Sequence, residues 1–335
     1  METAFTGLAG VEHPVVQAPI GSATCPELAA AVSNAGGLGH LAVTWRDREE
    51  TQRAIERTSA LTDRPFAVNL VLDDATRERP TDEHLSVCLG AGARIVSLSF
   101  GDAEPYVDQV HDSDGLVLQT VGSAAEARTA QAAGVDAVVT QGWEAGGHVQ
   151  SEVATLPLVP RVVDAVDVPV VAAGGIADGR GVAAALSLGA DAAWLGTRFL
   201  ATEEANVHRG YRERVTAVDE TETVYTDLFD KGWPGMSHRV VENDTVRQWR
   251  AADEPEPGDR PGEDAVVAES ADGTSIERYS EALATPDVSG DIDEMALFAG
   301  QSAGLTDDVL SADDVVEQLV AETESAIDRA AGLRR

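Results

Sequence analysis

Lysine is almost absent from this sequence: Lys231 stands alone, and every other member of the 24 Lys and Arg residues is arginine. Against them stand 58 Asp and Glu, a formal net charge of -34. Charge of this sign repels phosphate backbones and anionic lipid, so nucleic-acid and membrane partners are disfavoured. The excess reads as a solvated acidic surface of the kind suited to high salt, and its self-repulsion predicts a fold that weakens when salt is removed. It is not the signature of disorder, because long apolar runs recur in order along the chain.

Aromatic residues make up only 4 % of the chain, while 43 % of it is hydrophobic. A core built mainly from Ala, Val, Leu and Ile suits parallel strands covered by helices. Only two cysteines occur, Cys25 and Cys88, which make neither a disulfide framework nor a metal spacing. Cys25 precedes a helix opened by Pro26 and could lie near an active-site loop, although a buried inert thiol is the commoner role. No apolar run approaches the roughly 18 residues of a membrane span. The opening Met1-Glu2-Thr3-Ala4-Phe5 does not resemble a signal peptide. A soluble, cytoplasmic protein is expected.

What is present is alternation. Short apolar runs at 15–18, 38–43, 66–70, 94–99, 115–119, 136–140, 168–172 and 192–195 read as strands. Ala-rich stretches such as 26–35, 48–61, 124–133 and 179–188 read as helices between them. Eight such units predict an α/β fold, a closed (β/α)8 TIM barrel. An internal echo supports it: Gly92-Ala93-Arg94, Gly134-Val135-Asp136 and Gly189-Ala190-Asp191 each place a glycine where a helix ends and a strand is about to begin. Residues 1–210 are assigned to the barrel and 211–335 to a mainly helical or irregular extension. Its acidic, Pro- and Gly-rich stretch 253–262 reads as an exposed loop. A final helix over 312–331 has apolar positions at helical spacing and is expected to pack back on the barrel.

Three clusters fall where strands end, the face on which barrel active sites are built. Gly174-Gly175 follow the apolar run to Ala173 and precede a helix, a combination that lets backbone N–H groups approach an anion. A plain tight turn would look the same. Trp194-Leu195-Gly196-Thr197 end the next strand with a second close approach and a hydroxyl. Two such turns at neighbouring strand ends make the standard phosphate site of these barrels. The third cluster runs from Val139 through Gln141, Gly146 and Gly147 to His148. Gln141 could bond the edge of a planar heterocycle, the glycines could let the loop lie near it, and His148 would reach the barrel mouth as a base or anion partner. A loop histidine without a role is the bland reading, and a metal role is disfavoured because no second ligand lies at suitable spacing. Ala18, in Gln17-Ala18-Pro19, is small enough for a flat ring to pass over. Asn69 closes an apolar strand with a polar amide, which could be structural or could contact a ligand. Ser97-Leu98-Ser99-Phe100 and Gln119 end two further strands.

These stretches resemble the nitronate monooxygenase family (formerly 2-nitropropane dioxygenases), FMN-dependent TIM barrels. The matching segments are Gln17-Ala18-Pro19, Asn69, Gln141 to His148, Ala173-Gly174-Gly175-Ile176 and Gly196-Thr197-Arg198-Phe199. Phe229-Asp230-Lys231-Gly232-Trp233-Pro234 and Gly300-Gln301-Ser302-Ala303-Gly304 extend the likeness through most of the chain. The resemblance implies FMN as cofactor, with Asn69, Gln141, Gly146 and Gly175 at contact positions and Trp194 to Thr197 as the phosphate turn. It implies His148 as the catalytic base that takes the α-proton of a nitroalkane; the nitronate then reduces FMN, and dioxygen gives a carbonyl compound and nitrite. The implied partners are therefore a small nitronate or nitroalkane and O2, with a homo-oligomer as an option. Val149-Gln150 depart from the family's small or basic residue followed by Gly, which places substrate choice in question. Similar motifs occur in flavin-dependent enoyl-ACP reductases and NAD(P)H:quinone reductases, so an NAD(P)H-dependent reductase is the alternative. A non-catalytic FMN- or phosphate-binding barrel is a further one.

Overall fold

The computed structural model describes residues 1–76 and 79–333. Each of the eight apolar runs forms a strand: β1 Val15–Gln17, β2 Gly39–Ala42, β3 Phe66–Val71, β4 Ile95–Ser99, β5 Leu116–Val121, β6 Ala137–Gln141, β7 Val170–Ala173 and β8 Ala192–Leu195. All neighbours pair in parallel, β8 returns to β1 through Val16↔Trp194, and a bridge Val16↔Leu38 joins β1 to β2. The sheet is thus closed.

Side chains alternate along these strands with the period of a pleated strand. One set, including Val16, Ala67, Leu118, Val139, Ala173 and Trp194, fills the barrel interior. The other set, including Leu41, Val68, Val96, Val117 and Val170, meets the surrounding helices. Phe5 and Ala9 of the short helix Ala4–Ala9 join the interior cluster. The dominance of Ala and Val on both surfaces is how so few aromatics suffice.

The helices are α1 Pro26–Asn34, α2 Arg48–Leu61, α3 Thr81–Gly90, α4 Glu104–His111, α5 Ala124–Ala133, α6 Thr155–Val163 and α7 Gly179–Ser187. Helix α2 is fixed at its start by a reciprocal capping box between Asp47 and Glu50. Helix α5 ends on Gly134 at φ 93°, the left-handed conformation that the glycine echo anticipated. The eighth helical position is taken by the last helix, α8 Ala312–Gly332, which packs against α7 and α1.

The chain between β8 and α8 is therefore inserted at the mouth of the barrel. It holds short helices and two small sheets. In the first, β9 Thr223–Thr226 pairs antiparallel with β10 His238–Val241, and β10 pairs in turn with Gly147–His148 from the loop after β6. In the second, β11 Val266–Glu269 pairs with β12 Ser275–Glu277 and β13 Ser289–Gly290. The acidic stretch 253–262 is largely exposed as expected, with one exception. Arg260 is buried, its guanidinium 4.1 Å from the Tyr279 ring centroid and 2.9 Å from Asp230. Among the described residues no helix is long and apolar enough to cross a membrane.

Candidate active site

A cavity of about 560 Å³ opens at the C-terminal ends of the barrel strands, between the barrel and the inserted segment. Ala18, Asn69, Gln141, Gly146, His148, Gly174, Gly175, Trp194, Gly196 and Thr197 all line it. Leu195 does not: strand alternation turns its side chain into the outer core with Val15 and Leu28. Trp194 faces inward and stacks on His40 at 4.5 Å between ring centroids, so it forms floor as much as turn.

The loop after β6 is built by contacts that fix His148. The Gln141 amide is already engaged: Nε2 donates to the His148 carbonyl at 3.0 Å, and Oε1 accepts the Gln150 N–H at 2.8 Å. Gln141 thus holds the histidine loop, and only its remaining N–H and lone pair could reach a heterocycle. Glu144 accepts the Thr155 N–H at 2.9 Å, meeting an unpaired donor and the dipole at the start of α6. The buried Arg239 guanidinium lies 4.3 Å from the Trp143 ring centroid and donates to the Trp143 carbonyl at 3.1 Å. Gly146 serves a close crossing: a Cβ there would stand 2.3 Å from the Gly300 nitrogen. Gly147, at φ 71°, has nothing within 4 Å of such a Cβ and so leaves its side of the loop open.

His148 is largely buried and packed among rings, with Trp233 at 4.4 Å, Phe298 at 5.4 Å and His238 at 5.6 Å between centroids. Its Nε2 lies 3.3 Å from Glu281 Oε2, within ion-pair range but off the line of a hydrogen bond. His238 accepts the Phe229 N–H on Nε2 and faces the Met236 carbonyl with Nδ1. That pairing requires the neutral tautomer protonated on Nδ1, and burial, with the neighbouring His148, pushes its pKa down to about 4. Phe100, which ends β4 at φ 55°, stacks edge-on against Trp233 at 4.9 Å, a left-handed aromatic residue at the cavity wall.

Against Gly142 and Glu144 of the loop after β6, Gly174 at φ 102° and Gly175 at φ 70° make the turn after β7. A Cβ on Gly175 would lie 3.3 Å from that of Glu144, so it is the backbone conformation, more than open space, that demands glycine here. The Thr197 hydroxyl accepts the Gly300 N–H at 2.9 Å, which leaves its own proton free to donate. A Cβ on Gly196 would meet only Ala18, at 3.6 Å. Ser302 adds a second hydroxyl to this wall.

This arrangement fits FMN. A turn of open backbone with the Thr197 and Ser302 hydroxyls suits a phosphate, and Ala18 gives a thin wall for a flat ring. The Asn69 amide donates to Ser97 Oγ at 3.0 Å while its Oδ1 has no hydrogen-bond partner among the described residues, as a heterocyclic N–H would require. No Lys or Arg lines the cavity among the described residues.

Val149 and Gln150 do not line the cavity themselves, although Gln150 bonds to Phe100, Thr120 and Gln141, which do. Val149 is buried elsewhere, and Gln150 ties together the Phe100 N–H, the Thr120 carbonyl and Glu126. Its side chain thus joins the ends of β4 and β5 to the first turn of α5. The Gln119 amide, another strand end, donates to the Gly101 carbonyl at 2.8 Å. Sequence reasoning missed Glu281, Phe298 and Trp45 in the cavity wall. Trp233 and Ser302 stood inside noticed motifs without an assigned role, whereas nothing local distinguished Glu281 from dozens of other acids.

Three buried histidines give a pH expectation. Burial pushes His40 to about 3, and His84 and His238 to about 4, from the usual 6.5. The folded form resists protonation more than the unfolded chain, so stability is full above about pH 6.5 and is lost as pH falls towards 4. Each site accounts for about 3 kcal/mol at that limit. Denaturant unfolding at high salt, where carboxylate repulsion is screened, should show a marked drop between pH 7 and pH 5. A flat profile would remove the neutral-histidine assignment.

The family profile described as nitronate monooxygenase matches residues 2–84 and 75–322. A Rhodococcus jostii protein named (3aS,4S,5R,7aS)-5-hydroxy-7a-methyl-1-oxo-octahydro-1H-indene-4-carboxyl-CoA dehydrogenase is 34 % identical over 100 % of this chain and 99 % of its own. Among solved structures, FabK from Thermotoga maritima superposes with a TM-score of 0.84 at 32 % identity, covering 99 % of both chains. A nitroalkane oxidase from Streptomyces ansochromogenes superposes with a TM-score of 0.77 at 30 % identity, covering 98 % of this chain and 100 % of its own.

Proposed function

Because the chain belongs to the nitronate monooxygenase family, and so is an FMN-dependent TIM-barrel oxidoreductase, we propose that its reaction is the oxidation of a small nitroalkane or its nitronate with dioxygen, giving a carbonyl compound and nitrite. The observation that carries this reading is His148, a base that lines the cavity among the rings of Phe100, Trp233 and Phe298. Gly174, Gly175, Gly196 and Thr197 would hold the phosphate, Asn69 would meet the ring edge, and Ala18 and Gly146 would border the ring. FMN, when bound, takes up the substrate's electrons and passes them to dioxygen. His148 removes the α-proton of the nitroalkane, and the Gln141 clamp on its carbonyl keeps the imidazole in the cavity. Phe100, Trp233 and Phe298 exclude water around that proton transfer.

A dehydrogenase acting on a hydroxylated acyl-CoA, as the Rhodococcus relative is named, is the second reading, favoured by that relative's match along the whole chain. The cavity offers no Lys or Arg to CoA phosphates among the described residues, which weighs against it. An NAD(P)H-dependent reductase meets the same difficulty. Anaerobic mixing at high salt tests all three. Bleaching of the flavin by a nitroalkane or nitronate is the expected result. Bleaching by NADH, NADPH or a hydroxyacyl-CoA, with no response to nitro compounds, would overturn the proposal.

A further inference from the structure

The inserted segment brings one carboxylate to the wall that His148 shares. Glu281 is only 15 % exposed at its side chain, and its Oε2 stands 3.3 Å from His148 Nε2. Its position is built and not incidental. The Glu281 N–H donates to the Lys231 carbonyl at 3.1 Å, and the Lys231 N–H to the Tyr279 carbonyl, so two segments from separate parts of the insertion are bridged beside the site. Gly232, at φ 127°, leaves the notch that the carboxylate fills, since a Cβ there would stand 2.6 Å from Glu281 Oε1. The next residue, Trp233, is the one stacked on His148. The rings of Phe100, Trp233 and Phe298 pack on His148, and Ile276, Ala282, Leu283 and Val288 of the insertion line the same cavity with Ser270, Thr274 and Thr285. Among the described residues His148 has Glu281 and His238 as titratable neighbours, the latter neutral and with Asp227 beyond it.

We infer that Glu281 is a charge-selecting and positioning residue, which makes the neutral nitroalkane, and not the free nitronate anion, the substrate of this site. This rests on the nitroalkane reading above. A buried carboxylate repels a second anion strongly, because little solvent screens the two charges. The same carboxylate stands beside the ring that becomes cationic on taking a proton, so it offsets that charge while the C–H bond breaks and the electron pair moves into the nitro group. The nitronate thus forms inside the site, with its proton on His148. One side chain is then expected to act in opposite senses on the two forms of one substrate.

The test compares the FMN-loaded wild type with Glu281→Gln, using a neutral nitroalkane and the same compound supplied as preformed nitronate. In Glu281→Gln, kcat/KM for the nitroalkane should fall about tenfold or more and that for the nitronate should rise, whereas a merely structural loss would lower both. Glu281→Asp, which keeps the charge, should keep the wild-type preference. Independently of turnover, calorimetric titration with butyrate and butyramide reads the charge term directly. Glu281→Gln should bind butyrate about tenfold more tightly than the wild type and butyramide within twofold. Equal butyrate affinities, or parallel loss with both substrate forms, would overturn the inference. If neither nitro compound is turned over, the nitroalkane reading falls, and with it the substrate assignment; the butyrate titration still decides the charge-selecting role of Glu281.

Discussion

His148→Ala should retain FMN and lose about 10²- to 10⁴-fold in kcat/KM for a neutral nitroalkane, the range that removing a positioned base costs. Retention is expected because the histidine ring packs on Trp233, Phe298 and His238, residues other than those assigned to the phosphate. The loop itself should survive, since its anchors are the Gln141 amide to backbone atoms and Glu144 to the start of α6. A supplied nitronate needs no proton removed, so its turnover should fall far less. Steady-state rates with both forms, and the flavin absorbance of the purified variant, check this. Wild-type turnover of the neutral compound would remove His148 as the base.

Gly146→Val should have a different and broader effect. At this position two backbones cross: a Cβ would stand 2.3 Å from the Gly300 nitrogen and 2.5 Å from the Ala299 carbonyl carbon, neither of which can rotate away. Overpacking of a flexible core costs about 1–3 kcal/mol, and a clash between two main chains should reach or exceed the top of that range. The consequence is also chemical. Moving Gly300 takes its N–H from the Thr197 hydroxyl, so one substitution loosens both the histidine loop and the turn proposed to hold the phosphate. Weak or absent FMN and a melting temperature lowered by several degrees are expected. Normal FMN content with an unchanged melting temperature would show that the crossing yields without cost. Gly147→Ala is the control, because its Cβ meets nothing within 4 Å, although its φ of 71° carries some strain.

The contrast between these two glycines shows how far the sequence could be read. That the loop after β6 is glycine-rich and ends in a histidine was plain, and so was its place at the end of a strand. Which glycine meets another backbone and which faces open space was not, because Gly300 lies more than 150 residues away. Gln141 teaches the same lesson: its amide suits a heterocycle in isolation, yet in the fold it is bound to the His148 and Gln150 backbone. Leu195 fell within a turn motif, but the two-residue period of a strand sends it to the outer face. Val149-Gln150 drew notice by adjacency to His148, and the fold adds that the Gln150 side chain ties the end of β4 to the first turn of α5.

By itself the sequence determined the barrel, since alternating apolar strands and capped helices are local patterns and their closure follows from parallel pairing and burial. It also determined the acidic, lysine-poor character of the chain and the strand ends on which the site would stand. Only the tertiary structure decided what surrounds His148. Glu281, Trp233 and Phe298 reach it from a segment inserted between β8 and α8, through β10 pairing beside Gly147–His148 and through the notch at Gly232. Contacts between segments so distant in sequence leave no periodicity for a local reading to detect, and one glutamate among 58 acids is recognisable only by what it faces.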